Sequence, residues 1–400
     1  MSRVSIKRGC KRQARDIHGW HERAKARFLH FHIETTMLSS IGRTLRIAQV
    51  APLCESVPPR LYGGTERVVS YLTDELVASG HDVTLFASGD SQTRAKLIPA
   101  HPRALRLSGS CGGEVAAHTL LIEMVAQRAD EFDVIHFHLS DLHLPLCRRW
   151  TTPTVTTLHG RLDVPELKPL FQEFRDVPVI SISAAQRGTL AAANWAGTVY
   201  HGLPPGLLPF QSRPGEYFVF VGRLSPEKRV DRAIAIAEAC ACPVRIAAKI
   251  DPVDRGYFDR DIAPLFDRPL VEYVGEIDDG SKGAFIGGAR ALLFPIDWPE
   301  PFGLVMIEAL ACGVPVIAFR AGSVPEIIDD GVTGFVVDSI DEAVAAARRI
   351  DTLSRAACRA AFERRFSAGR MASDYLQIYH EQIARIRRMS SGHARHAASG

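Results

Sequence analysis

Residues 294–319 read FPIDWPEPFGLVMIEALACGVPVIAF, and this is the most unusual segment of the chain. The apolar run that ends at Phe294 predicts a buried strand, and the prolines after it predict a loop. A helix is expected from about Gly303 to Gly313, and Pro315 then opens a second apolar strand. The rest of the chain repeats this alternation, which indicates an α/β protein with parallel sheets covered on both faces by helices.

Two carboxylates stand out in this stretch. Glu300 lies in the loop ahead of the helix, and Glu308 lies inside the helix among apolar residues, where a carboxylate without partners is costly. One interpretation is that Glu300 caps the helix and Glu308 pairs with an arginine. The other is that both accept hydrogen bonds from ligand hydroxyls. Gly303 would then let the backbone approach, and the free N–H groups of the first turn would face the same ligand.

The spacing of Glu300 and Glu308 within EPFGLVMIEALACGVPVIA resembles the signature of the retaining glycosyltransferases of family 4, which have the GT-B architecture. The resemblance implies two Rossmann-like doubly wound domains with a cleft between them. It implies that Glu300 contacts the sugar of a nucleotide-sugar donor and that Glu308 holds the ribose hydroxyls. Phe302, Gly303 and Leu304 are predicted to bind the donor in the same segment.

The similarity covers roughly residues 45–388 and includes the segment APLCESVPPRLYGGTERV, which looks like a subgroup of glycosyltransferases of unassigned substrate. The chain of 400 residues, 46% hydrophobic and 23% charged, suits two soluble domains. No apolar run reaches the ~18 residues expected of a membrane helix. We expect a basic, disordered extension over 1–44, an acceptor-side domain over 45–203, a donor domain over 204–366, a helix over 367–388 that crosses back to the first domain, and a polar tail over 389–400.

The net charge of +3 is unevenly distributed, because residues 1–44 hold ten Lys or Arg against three Asp or Glu. The remaining residues are therefore net acidic, and a nucleic-acid partner is not expected. The basic extension lacks the apolar core of a signal peptide. It could contact anionic lipid as a peripheral tail, be disordered, or precede a true start at Met37.

The eight cysteines show no CxxC motif and no zinc-like spacing with histidine, which favours a reducing, cytoplasmic location.

A turn at Gly63 and Gly64 is predicted to open a helix, with Thr65 as its cap. Two glycines remove side chains where a strand becomes a helix, and such a turn is a ready anion site, here assigned to donor binding. Ordinary tight turns use glycine pairs as often. The motif G-x-G-x-x-G is absent here and G-x-x-x-x-G-K-[ST] is absent from the chain, which argues against a dehydrogenase or a P-loop enzyme.

Histidines cluster near the end of a strand predicted over 133–139. His136 and His138 lie two apart on one face, with Asp141 and His143 just beyond. The cluster could hold a metal, but polar residues at a strand's end also line clefts without one, and no metal site is predicted. His138 is instead a candidate for the acceptor side of the cleft.

His159 follows the strand predicted over 154–158, where ligands of open α/β sheets bind. The family resemblance implies that His159 faces the donor sugar. A purely structural histidine is the alternative.

The segment after the strand at 217–221 is the predicted phosphate site. Ser225 fits a helix cap, which would place Lys228 at the third helical position, where the helix dipole disfavours a cation. A diphosphate between Arg223 and Lys228 would compensate, although Glu227 and Asp231 could neutralise the lysine instead. The pattern G-R-x-x-x-x-K resembles the phosphate-binding segment of the family, and Val274 lies near where the family places the nucleobase.

The mechanism that the resemblance implies retains the anomeric configuration. The acceptor attacks from the face that the diphosphate leaves, while Arg223 and Lys228 stabilise the leaving group and His159 and Glu300 orient the sugar. Domain closure would exclude water. No cofactor and no metal are required, because the nucleotide-sugar is a co-substrate and cationic side chains carry the charge.

Three other functions remain compatible with the sequence. A phosphorylase or a nucleotide-sugar epimerase can share the two-domain plan, and a non-catalytic nucleotide-sugar-binding protein would bind without turnover. Neither the donor sugar, the base nor the acceptor can be read from these residues.

Overall fold

The computed structural model describes residues 43–60, 63–108 and 113–397, so the predicted basic extension lies outside the described residues except for 43 and 44. Within the described part, strands form two parallel sheets. The first has the order β3-β2-β1-β4-β5-β6-β7. Its strands are β1 (Arg46–Val50), β2 (Asp82–Ser88), β3 (Lys96–His101), β4 (Val134–Phe137), β5 (Thr154–Thr157), β6 (Pro178–Ser181) and β7 (Asn194–Thr198).

The second sheet has the order β10-β9-β8-β11-β12-β13. Its strands are β8 (Phe218–Arg223), β9 (Val244–Lys249), β10 (Val271–Gly275), β11 (Ala291–Phe294), β12 (Val316–Phe319) and β13 (Gly334–Val337). In both sheets the order reverses beside the first strand, as in doubly wound folds. The predicted fold class is confirmed.

Helices cover both sheets. They are α1 (Gly64–Ala78), α2 (Leu105–Ser108), α3 (Glu114–Ala126), α4 (Leu144–Cys147), α5 (Leu167–Glu173), α6 (Ala184–Gly188), α7 (Val230–Ala239), α8 (Arg255–Tyr257), α9 (Asp279–Gly287), α10 (Leu304–Ala311), α11 (Val324–Ile327), α12 (Ile340–Arg349), α13 (Arg355–Arg365) and α14 (Ala368–Ala397). None of these described helices is both long enough and apolar enough to cross a membrane.

Two strands of the first sheet were not predicted from the sequence. β3 is an edge strand whose residues alternate between buried and exposed, and every residue of β7 is only half-buried. Neither therefore shows the continuous apolar run of a central strand. The short helix over Ala184–Gly188 ends six residues before β7 begins.

The long helix α14 returns to the first sheet and packs on α1. Met371, Tyr375 and Tyr379 are fully buried there, in the core that includes Ile47 of β1. This helix continues to Ala397, so residues 389–397 of the predicted polar tail are helical, and 398–400 lie outside the described residues. Extending an existing helix needs no new nucleation, and this stretch contains no proline.

Replacing the buried Tyr379 by alanine should lower the free energy of unfolding by about 3–5 kcal/mol, since it leaves a large cavity. The change also removes a hydroxyl that bonds to Gln49 and His136. Urea unfolding measures the effect. The control is Gln377→Ala on the exposed face of the same helix, where a change within about 0.5 kcal/mol is expected. Equal losses for the two variants would contradict the packing of α14 described here.

Candidate active site

A cavity of about 610 Å³ lies between the two sheets and is lined by residues that follow the carboxyl ends of their strands. It brings together most of the residues predicted to bind the donor. The predicted residues on its wall are Gly63, Gly64, His159, Arg223, Lys228, Glu300, Phe302, Gly303, Leu304 and Glu308. His138 and Val274 do not line it.

The turn before α10 depends on Gly303. Its φ of +81° lies in the left-handed region, and a Cβ there would come within 2.8 Å of Met306 Cε and 3.1 Å of Phe294 Cζ. Glycine is therefore required both by the backbone conformation and by the close packing. This turn presents the N-terminus of α10 to the cavity.

Glu300 is 8% exposed and is held by two donors. Its Oε2 accepts hydrogen bonds from Lys228 Nζ and from Trp298 Nε1, the latter at 3.0 Å. Gly303 occupies the N-cap position of α10, and no side chain caps the helix. The alternative that Glu300 is a helix cap is wrong, because its carboxylate turns to the lysine across the cavity.

Glu308, which is 5% exposed, pairs with Lys282 of α9 through an Nζ–Oε1 distance of 2.9 Å. The alternative interpretation expected an arginine partner for Glu308. The partner is a lysine, which carries the same positive charge. Lys282 lies 3.6 Å from Asp279, which in turn pairs with Arg67 of α1. A run of alternating charges therefore links Glu308 to the first sheet's layer of helices.

Arg223 ends β8 and pairs with Glu227 at 2.6 Å and with Asp254 at 3.2 Å. Lys228 ends a 3-10 turn over Pro226–Lys228, and Ser225 makes no capping bond.

The predicted helix start is wrong, because Arg229 adopts a left-handed conformation, with φ 52°, and α7 begins only at Val230. The dipole argument therefore does not apply to Lys228. The alternative neutralisation also fails, since Glu227 pairs with Arg223 and Asp231 with Arg229.

The helix α1 starts at Gly64, with Gly63 at its N-cap position, so the prediction of Thr65 as the cap is wrong. A Cβ on Gly63 would lie 2.7 Å from Pro59 Cβ. Close packing against Pro59 in the preceding loop therefore explains why residue 63 is glycine. No side chain caps the helix at this position.

A chain of hydrogen bonds runs behind the cavity wall. His159 Nε2 lies 2.9 Å from His138 Nδ1, and His138 Nε2 lies 2.7 Å from Gln49 Oε1. Gln49 Nε2 donates to the hydroxyl of Tyr379 on α14 at 3.1 Å. His138 is 4% exposed and supports His159 from behind instead of facing the cavity.

The neighbouring histidines bind other protein groups. His136 lies 2.7 Å from both Tyr379 Oη and Thr157 Oγ1, and His143 Nε2 lies 2.7 Å from Thr156 Oγ1. No cluster of three His, Cys, Asp or Glu side chains suited to a metal ion occurs among the described residues. Burial lowers the pKa of His136 and His138 well below 6.5 and that of His159 to about 3, so all three rings are neutral near pH 7.

Several cavity residues could not be found from motifs. Seven Lys or Arg and six Glu side chains line the cavity, which is therefore nearly balanced in charge. Lys282, Arg67 and His201 reach it only through the tertiary fold. Glu276 and Ile277 line the cavity beside β10, whereas Val274 is 38% exposed outside it.

Comparison with known proteins defines the class. The family model described as "Glycosyltransferase Family 4" matches residues 62–242, and "Glycosyl transferases group 1" matches residues 211–365. The chain belongs to the glycosyltransferases of the GT-B fold, and its resemblance to family 4 is confirmed.

The similarity to individual proteins extends over most of the chain. The phosphatidyl-myo-inositol mannosyltransferase of Mycolicibacterium smegmatis is 26% identical over 380 residues, 87% of this chain and 95% of that protein. The structure is similar to AviGT4, a glycosyltransferase involved in avilamycin A biosynthesis, with a TM-score of 0.65, 23% identity and coverage of 85% and 98% of the two chains. It is also similar to Anabaena HepE in complex with UDP and glucose, with a TM-score of 0.62, 19% identity and coverage of 83% and 98%.

The buried histidines make stability depend on pH. His136 and His138 have folded-state pKa values below that of the unfolded chain, so the unfolded chain takes up protons first as the pH falls through about 6.5. Stability is therefore full above that pH and declines below it. At pH 5.5 each of these two rings should reduce the free energy of unfolding by about 1.4 kcal/mol. Burial raises the pKa of Glu66, which acts in the opposite direction.

Urea unfolding at pH 7.5, 6.5 and 5.5 tests this dependence. The variant His138→Gln, which removes one of the two buried rings, should lose less stability than wild type between pH 7.5 and 5.5. Equal stability at pH 7.5 and 5.5 would show that the buried rings are protonated in the folded protein.

Proposed function

We propose that this glycosyltransferase moves a sugar from a nucleoside diphosphate sugar to an acceptor hydroxyl, with retention of the anomeric configuration and without a metal ion. One observation carries the proposal. Two cationic side chains at the end of β8, Arg223 and Lys228, share a single cavity with the two buried carboxylates Glu300 and Glu308. A diphosphate flanked by sugar hydroxyls has the complementary pattern of charge and hydrogen-bond donors.

The cations suit a diphosphate by their chemistry and position. Arg223 offers a planar fork and Lys228 a compact point charge, and they stand five residues apart around one turn. Each is already paired with an acid, Arg223 with Glu227 and Lys228 with Glu300. Diphosphate oxygens would compete with these carboxylates for the two cations. Binding would then replace one ion pair by another, so no cation would be buried without a partner.

The carboxylates suit hydroxyls. Glu308 lies at the second turn of α10 beside Lys282, and the ribose hydroxyls can donate to its remaining lone pairs. Glu300 is expected to accept from a hydroxyl of the sugar once Lys228 turns towards the diphosphate. His159, neutral and fixed by His138, can bond to a hydroxyl without adding charge.

The reaction follows from where charge develops. As the bond between the anomeric carbon and the diphosphate oxygen breaks, negative charge grows on the leaving group and positive charge on the sugar ring. Arg223 and Lys228 stabilise the negative charge on the leaving group, and the carboxylate of Glu300 stabilises the positive charge on the sugar ring. The acceptor hydroxyl attacks the same face and can pass its proton to the departing phosphate oxygen, which gives retention and requires no metal to carry charge.

The relatives support the nature of the donor. HepE is described in complex with UDP and glucose, and the mycobacterial relative is named for mannosyl transfer to phosphatidyl-myo-inositol. Both names fit a nucleotide-linked hexose as donor. We therefore take UDP-glucose and GDP-mannose as the first candidates.

Nucleoside diphosphates should stabilise the protein in a thermal-shift panel of UDP, GDP, ADP and TDP. A ligand at one hundred times its Kd adds about 2.7 kcal/mol to the free energy of unfolding when it binds only the folded state. We expect one or two of these compounds to raise the Tm and the others to leave it unchanged. If none of the four raises it at millimolar concentration, the donor assignment is wrong.

The variant Lys228→Ala should bind the preferred nucleoside diphosphate roughly 10- to 100-fold more weakly, because a hydrogen bond to a charged group contributes about 1.5–3 kcal/mol. Transfer should fall by about 10²- to 10³-fold in kcat, since the lost donor acts on the leaving group. Calorimetry and sugar-transfer assays measure the two effects. The matched control is Lys168→Ala on the exposed face of α5, which should change neither. An unchanged Kd in Lys228→Ala would remove Lys228 from the diphosphate site.

The stereochemistry and metal dependence can be measured in one experiment. With an α-linked nucleotide-sugar the product formed first should be the α-glycoside by ¹H NMR, and the rate should be the same in EDTA and in magnesium, because side chains carry the leaving-group charge. A β-linked product would show inversion. A rate that collapses in EDTA and recovers with added magnesium would show that a metal takes the role assigned here to Arg223 and Lys228.

A further inference from the structure

His201 lies on the cavity wall in the segment that joins β7 to β8. His201 is only 4% exposed. Even so, neither ring nitrogen has a hydrogen-bond partner among the described residues, and Nδ1 is buried. The other buried rings near it, His136, His138 and His143, each make at least one hydrogen bond.

An unpaired buried nitrogen is costly, and native proteins retain such groups mainly where they serve a purpose. Aromatic contacts hold the His201 ring. It stacks on His159 with 5.3 Å between the ring centroids and 16° between the planes, and its centroid lies 4.7 Å from that of Phe302. These contacts fix the orientation of the ring and leave its nitrogens available to another molecule.

The environment of His201 indicates what that molecule presents. Burial lowers its pKa well below 6.5, so the ring is neutral and offers one donor and one acceptor. A neutral imidazole suits a hydroxyl better than a phosphate. The diphosphate is placed by our proposal at Arg223 and Lys228 and the ribose at Glu308, whereas His201 adjoins His159 and Phe302, the side of the cavity assigned to the sugar.

We propose that His201 is a sugar-binding residue of the donor site, where a ring nitrogen hydrogen-bonds to a hydroxyl of the transferred sugar. This rests on the function proposed above. The bond would supply the partner that the ring lacks within the protein. It would also make His201 a residue that recognises the sugar and not the nucleotide, because its effect is confined to the part of the donor that is transferred.

The experiment compares wild type, His201→Phe and His201→Asn by calorimetry with two probe pairs, UDP with UDP-glucose and GDP with GDP-mannose. Phenylalanine keeps a ring for stacking on His159 and Phe302 and removes the nitrogens, while asparagine keeps a polar group. With the pair that wild type binds, His201→Phe should raise the Kd of the nucleotide-sugar about tenfold and leave that of the nucleoside diphosphate within about twofold. His201→Asn should show a smaller loss.

The Tm of the ligand-free variant shows whether His201 contributes to sugar binding or only to packing of the fold. Because His201→Phe removes an unpaired buried nitrogen, the Tm without ligand should be unchanged or higher even though the nucleotide-sugar binds more weakly. If His201 only packs, His201→Phe will bind the nucleotide-sugar as well as wild type does, and this result overturns the proposal. An equal loss for the nucleotide-sugar and the nucleoside diphosphate overturns it as well.

If His201→Phe does not fold, His201→Leu takes its place, since leucine also lacks a hydrogen-bonding group, and an undiminished affinity of that variant for the nucleotide-sugar overturns the proposal. Failure of the proposed function would be seen differently. In that case wild type itself would bind none of UDP, GDP, ADP and TDP, before any variant is compared.

Discussion

Charge pairing inside the cavity ties the stability of the fold to the composition of the candidate site. A cation that is to meet a diphosphate must be partly desolvated, and a desolvated charge without a partner would destabilise the fold by several kcal/mol. The protein meets this condition with its own acids: Lys228 pairs with Glu300 and Lys282 with Glu308, in side chains that are all less than one-fifth exposed. The carboxylates neutralise the cations, and in the proposed function they also present oxygens to hydroxyls.

The sequence predicts the central segment well because its signals are local. The apolar runs of β11 and β12, the left-handed Gly303 and the glycine after α10 each mark an element boundary within a few residues. The start of α7 could not be predicted, because a Ser-Pro pair normally begins a helix and nothing in the sequence shows that Arg229 turns left-handed. The edge strands β3 and β7 lack the long apolar runs by which central strands are recognised.

In the candidate site, too, the residues with a local sequence signal could be predicted and those without one could not. Arg223, Lys228, Glu300 and Glu308 belong to patterns with recognisable spacing, and all four line one cavity. Lys282 faces Glu308 across 26 residues of chain, and His201 lies in a segment whose glycine and prolines mark a linker but do not mark a binding residue. Their positions come from tertiary packing, so no pattern of neighbours in sequence could have selected them. His138 was selected by strand periodicity, which gives the face of a strand but not which layer of side chains meets the cavity.

Polar groups near this cavity link the two sheets, beside apolar contacts such as that of Ile182 with the core around Phe302. Glu326 of α11 accepts from the backbone N–H groups of Ala184 and Ala185, both at 2.7 Å, and Arg67 of α1 pairs with Asp279 of α9. The Asp279 side chain is 42% exposed, and ion pairs with a solvated partner contribute little net stability and exchange readily. Asp279 also lies near Lys282, which pairs with Glu308. The ion pair between the sheets and the proposed ribose-binding carboxylate therefore belong to one network of charges. A hydroxyl that shares Glu308 with Lys282 must therefore alter the balance of charge at Asp279, and so the strength of the link to Arg67.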